Sequence, residues 1–205
     1  MKRLLAPALL AMAIAMPAAA EPRNLTGFDG VNVSDRIEAD VMIGPQFSVD
    51  VSGPDAGRVQ TRLDGDTLRI SERNRPWFGG SRRVNATVRV TLPRIEGLAA
   101  SRGASVRMGR VETDSMSLAA AMGGELTISG SCRNLSVAVS MGGIVKAEDF
   151  QCLTADAAAS MGGEARIFAS QSFDASASMG GVVNVAGDPD HSDVSTSMGG
   201  EVSSH

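Results

Sequence analysis

One tetrapeptide returns through the C-terminal half of this chain at a nearly constant interval. Ala121-Met122-Gly123-Gly124 is followed by Ser140-Met141-Gly142-Gly143, Ser160-Met161-Gly162-Gly163, Ser178-Met179-Gly180-Gly181 and Ser197-Met198-Gly199-Gly200. The Met-to-Met steps are 19, 20, 18 and 19 residues, and Ser101-Arg102-Gly103-Ala104 is a weaker copy 20 residues before the first. A fixed period of this length marks stacked repeats.

Aligning the copies on the Met position shows what each repeat folds into. Four residues before it stand Leu98, Leu118, Val137, Ala157, Ala175 and Val194; four residues after it stand Leu126, Val145, Ala165, Val183 and Val202. Positions two before and six after are also mostly apolar, whereas odd offsets carry Ser117, Asp156, Lys146 and Arg166. A period of two on both sides of a Gly-Gly pair means strand, corner, strand. Gly-Gly would destabilise a helix of this length. Identical offsets let each copy stack on the next, so residues 95–205 are expected to form a parallel β-solenoid of five to six coils. Each strand would pair with its counterpart ~4.8 Å away. Gly-Gly is the corner, where positive φ is needed.

The Met position has an even offset. Simple alternation therefore points Met122, Met141, Met161, Met179 and Met198 inward, as a ladder filling a thin core. Arg102 at the same offset argues the other way, since Arg is rarely inside. An outward ladder would be a thioether stripe, either a sticky surface or a soft site for Cu(I). The inward ladder is the expectation, with no metal and no cofactor. Cys132 and Cys152 fall at nearly the same place in adjacent coils and are expected to form a disulfide. Glu125, Glu164 and Glu201 follow Gly-Gly in alternate coils, and Asp156, Asp174 and Asp193 share one offset. A carbohydrate-active β-helix enzyme could use such rows, but it needs acidic groups converging on a groove with basic partners. They read instead as solvated rails, and no catalytic residue is assigned.

Residues 1–20 read as a secretory signal peptide. Lys2 and Arg3 precede an apolar run from Leu4 to Met16, and Ala18-Ala19-Ala20 supplies a cleavage site near Ala20. The protein is thus expected outside the cytoplasm, in the periplasm or beyond. No transmembrane segment is expected in the mature chain. Cleavage leaves 17 basic against 23 acidic residues. That balance excludes a global footprint for nucleic acid. Aromatics are 3% and Tyr is absent, so platforms for stacking bases or sugars are nearly missing.

Residues 21–94 form a strand-rich N-terminal part. Val31, Val33, Val41, Ile43, Val49 and Val51 alternate with polar residues between Gly/Pro breaks. Leu63-Asp64-Gly65-Asp66 predicts a hairpin turn between two alternating runs. A second connection, residues 72–83, holds Arg73, Arg75, Trp77, Phe78, Arg82 and Arg83. As a plain loop it folds its rings back on the sheet. As a binding tip it presents an aromatic-basic surface to an anionic partner. These six residues are the first candidates for binding, ahead of the Met rows.

The whole mature chain resembles the bacterial auto-transporter adhesin "head GIN" domain family. The resemblance rests on Phe28-Asp29-Gly30-Val31-Asn32-Val33, Gly44-Pro45-Gln46-Phe47-Ser48-Val49 and Asp66-Thr67-Leu68-Arg69-Ile70. It continues with the strand that ends in Thr91-Leu92-Pro93 and then the serial corners. Corners in that family resemble Ser-Gly-Ala-Gly, where this chain mostly has Ser-Met-Gly-Gly. The resemblance implies an all-β, solenoid-like, exported domain and no reaction. Together these readings point to a non-enzymatic binding or structural module of the cell envelope. Its partner would be an envelope or surface protein or glycan. The last coil leaves an edge open to pairing, so self-association is a further expectation.

Overall fold

The computed structural model describes residues 21–23, 25–73 and 84–204. The signal-peptide reading therefore lies outside the described residues. The strands are β1 (Glu21–Pro22), β2 (Gly30–Val33), β3 (Glu38–Ile43), β4 (Ser48–Ser52), β5 (Val59–Asp64), β6 (Thr67–Glu72), β7 (Thr87–Leu92) and β8 (Gly97–Ser101). After them come β9 (Ser105–Ala121), β10 (Glu125–Ser140), β11 (Ile144–Ser160), β12 (Glu164–Ser178), β13 (Val182–Ala186), β14 (His191–Ser197) and β15 (Glu201–Ser204).

From β8 onward the fold is the parallel β-solenoid that the period demands. β9, β10, β11 and β12 pair in sequence order and in parallel. The register joins like to like: Leu118, Val137, Ala157 and Ala175 form one buried row, and Leu126, Val145, Ala165 and Val183 another. Phe150 and Phe173 supply bulk that the Ala rows lack, and both are buried. Cys132 faces Cys152 across the β10–β11 pair, and the two form a disulfide with Cα atoms 4.5 Å apart.

At the N-terminal end the coils are assembled out of sequence order. β2 and β3 stack in parallel on β8 and β9, and β6 and β7 stack in parallel on the outer side of β2 and β3. This end is then covered by antiparallel strands: β4 and β1 beyond β7, and β5 beyond β6. The β5–β6 hairpin turns at Gly65, with φ of 59°, where the Asp-Gly pair places it. Phe28 and Phe47 meet beside this cap with ring centroids 5.0 Å apart. At the other end, among the described residues, β14 pairs only with β12 and β15 only with β13, and Val194, in a row buried in the earlier coils, is 49% exposed.

Candidate functional site

The corners stack into one edge running the length of the solenoid. In each, the Ser (or Ala121) carbonyl accepts a bond from the second Gly N–H, as in Gly124 N–H to Ala121 O at 3.0 Å and Gly143 N–H to Ser140 O at 3.0 Å. The two residues between have positive φ, 49° at Met141 and 71° at Gly142. A four-residue turn with both central φ values positive has the signature of type I′. The two glycines serve different ends. The first takes the positive φ of the turn and has open space around it. The second is where coils touch: a Cβ at Gly143 would lie 2.4 Å from the Ala120 carbonyl oxygen of the coil before.

This turn corrects the inward placement of the methionines. In the coils of Met122, Met141, Met161 and Met179, positions four and two before Met, and two and four after it, are buried as alternation requires. The Met position alone breaks the alternation, because left-handed φ turns its side chain out. Met122, Met141, Met161 and Met179 are 45 to 49% exposed, and Met198 in the last coil is 80% exposed. Corner-to-corner bonds hold the row in register. Gly123 N–H donates to Met141 O, Gly142 N–H to Met161 O and Gly162 N–H to Met179 O, each at 3.2 Å. Four steps of ~4.8 Å make a thioether stripe about 19 Å long.

The row continues toward the N-terminal end with different chemistry. Arg102, φ 52°, stands where Met would, and Gly103 N–H donates to Met122 O. Next comes a corner that sequence matching missed, Ser34-Asp35-Arg36-Ile37, with φ 66° at Asp35 and 59° at Arg36. Its signal lay in the offsets rather than the letters. Val31, Val33, Ile37, Ala39 and Val41 occupy the apolar places around Asp35 that the repeats keep around Met, and all five are buried. Arg36 N–H donates to Arg102 O at 3.1 Å, which joins this corner to the stack. The Arg102 guanidinium reaches Asp35 at 3.2 Å, and Glu72 N–H donates to the other Asp35 oxygen at 3.2 Å. Burial alone would raise the Asp35 carboxyl, but the Glu72 N–H and the Arg102 guanidinium outweigh it and hold it below the usual carboxylate value.

Glu72 is itself a corner residue. Leu68 and Ile70 pair with Val31 and Val33, so Glu72 matches Asp35 in the coil beyond. Its carboxylate is buried and bound by Arg58. Beyond it Arg73 is exposed, and the described chain resumes at Val84, which is buried. Arg75, Trp77, Phe78, Arg82 and Arg83 fall between, outside the described residues. The Met row, Arg102, Arg36 and Asp35 therefore stand on one edge, with Glu72 beyond Asp35.

One acidic row lines an open depression with Ser, Ala and Val and with no basic side chain among its lining residues. Asp156, Asp174 and Asp193 are in register on consecutive coils and exposed. Glu125 is bound to Lys146 and Glu164 to Arg166, each at 2.7 Å, so both carboxylates are neutralised where they stand. Among the described residues no cluster of three or more His, Cys, Asp or Glu has metal-binding geometry. Among the described residues no helix is long and apolar enough to cross a membrane.

Residues 27–189 match the family described as "Putative auto-transporter adhesin, head GIN domain". This chain belongs to that family. Among solved structures, it is similar to a protein described as a "putative adhesin" from Bacteroides fragilis, with a TM-score of 0.71 at 16% identity. That likeness covers 91% of this chain and 96% of the other. A "Putative lipid binding protein" from Parabacteroides distasonis is similar with a TM-score of 0.50 at 15% identity, over 93% of this chain and 98% of the other. At these identities the likeness is one of fold. No curated protein matches the chain in sequence. The head GIN domain here is thus a parallel solenoid.

Proposed function

We propose that this head GIN domain is a non-enzymatic, exported binding module of the cell envelope that makes extended contact along its corner edge. The partner is a surface protein or glycan. The observation that carries the reading is the exposed row of five methionines, each in a backbone conformation that disfavours it, continuous with the Arg102 and Asp35–Arg36 corners. A long apolar side chain kept outside at such a position serves something other than the core. The adhesin family supports the same class of function, and the apolar run of residues 1–20 supports export to the periplasm or beyond. Self-association belongs to the same reading. β14 has no second strand beside it among the described residues, so another copy can pair there.

Co-sedimentation of the mature protein with isolated cell envelopes tests this. Met141→Asp with Met161→Asp should abolish co-sedimentation, since Asp tolerates the left-handed turn yet destroys the apolar stripe. Arg133→Glu, on an exposed position away from the corner, should leave it unchanged. Equal loss in both variants, or retention in both, would overturn the reading.

A further inference from the structure

We propose that the Met row is a binding site for a soft monovalent metal ion, Cu(I) or Ag(I), held between the thioethers of adjacent coils. It occupies the same edge as the contact surface above but requires sulfur rather than apolar area.

The first argument is the row's uniformity. Rows chosen only for apolarity vary along this solenoid: one runs Leu118, Val137, Ala157, Ala175 and Val194, another Leu126, Val145, Ala165, Val183 and Val202. The corner row reads Met at all five coils. Each Met also sits at φ of 47 to 51°, where Gly, Asn or Asp would be less strained. Selection for turn geometry would have removed Met, and selection for grease would have admitted Leu or Val.

The second argument is spacing and charge. Adjacent corners are fixed by the Gly-to-Met hydrogen bonds, so rungs stand ~4.8 Å apart. On the scale of a zinc–sulfur bond, about 2.3 Å, two sulfurs on opposite sides of one ion span nearly that distance. The flexible Met side chain takes up the remainder. The row itself is uncharged, and the nearby Glu125 and Glu164 are already paired to Lys146 and Arg166. An uncharged thioether set suits a soft monovalent ion and suits hard divalent ions poorly. Thioethers also fit an oxidising compartment. Cysteine ligands there would be lost to disulfides, as Cys132 and Cys152 are, whereas Met binds through a lone pair with no proton to release.

The test titrates the disulfide-intact mature protein with Ag(I), and with Cu(I) kept reduced by ascorbate against a colorimetric chelator. The expected uptake is about two ions per chain, one for Met122 with Met141 and one for Met161 with Met179. Met141→Leu should weaken its site at least about tenfold. The Leu variant at all four positions should bind neither ion, while its circular dichroism and melting match the wild type. Affinity should be unchanged from pH 7 to pH 5, because a thioether does not titrate; His or Cys ligands would lose affinity over that range. Saturable binding that survives in the four-Leu variant, falls by pH 5 or is absent from the wild type would overturn the proposal. The Leu row keeps the apolar stripe. Envelope co-sedimentation that persists in it while metal is lost separates the ion from the contact surface, and each can fail alone.

Discussion

The two ends of this solenoid make the same coil by different means. In the repeat half each coil is one continuous segment, its neighbours follow in order, and no polar or charged residue among those described is buried. In the N-terminal half the coils are stitched from β2 with β3 and β6 with β7, out of order, and Ser34, Asp35 and Glu72 are buried at their corners. Identical rows stack well but specify register weakly, since a slip by one coil costs little pattern. The N-terminal end removes that freedom. A charged corner fits only its own partner, and antiparallel strands close the edge that would otherwise recruit another chain. Uniform corners extend the edge; unique corners anchor it.

The comparison breaks most visibly at the glycine where coils touch. Gly143→Val should cost about 3 kcal/mol or more, because its Cβ would strike backbone, which cannot rotate away. Gly142→Ala, one residue earlier in open space, should cost about 1–2 kcal/mol through left-handed strain alone. Thermal melting of the two variants separates stacking from turn geometry, and equal losses would show that contact between coils is not what the second glycine protects. The covalent link comes next. Replacing Cys132 and Cys152 together with Ser should lower stability by about 2–4 kcal/mol, measured by denaturant titration. A smaller loss would mean that the stacked rows hold register unaided.

At the anchored end the expected effect is smaller and depends on pH. Asp35→Asn keeps a residue that accepts positive φ and removes the charge facing Arg102, so about 1–2 kcal/mol should be lost at pH 7. The Asp35 carboxyl sits below its ordinary value of 3.8 in the folded protein. Its contribution is therefore complete above that value and disappears as the pH falls through the lower folded value. Melting curves between pH 6 and pH 2 should show the wild-type advantage over Asp35→Asn shrinking only at the acid end. A difference that stays constant to pH 2 would assign the effect to packing rather than charge.

What could be read from the chain follows the same division. The parallel solenoid, the Gly-Gly corners, the Gly65 hairpin and the Cys132–Cys152 pairing all rest on local pattern or fixed spacing, and each is present. Two things were hidden, each for its own reason. The Met side chains were read by alternation, which holds only while φ stays negative; a left-handed residue at the corner inverts it. The Asp35 corner shares one letter with Ser-Met-Gly-Gly. Its membership in the stack depends on pairing between segments far apart in sequence, which no local period reports. Arg102 at the Met offset was the one visible sign that this position faces solvent.

The smallest expected effect has the opposite sign. Met141→Asn and Met161→Asn should each stabilise the protein by about 0.5–1 kcal/mol, since Asn enters the left-handed region more easily than an unbranched apolar residue. The Met side chains are half-exposed, so little buried area is given up in return. Arg102 and Asp35 provide the internal contrast: both hold the same left-handed position, but their side chains are joined in an ion pair, so Arg102→Asn should not gain. If replacing Met lowers the melting temperature instead, the row contributes to folding and needs no external partner. If it raises the melting temperature while envelope contact or metal uptake is lost, the strain is retained at the expense of stability, as expected of a functional edge.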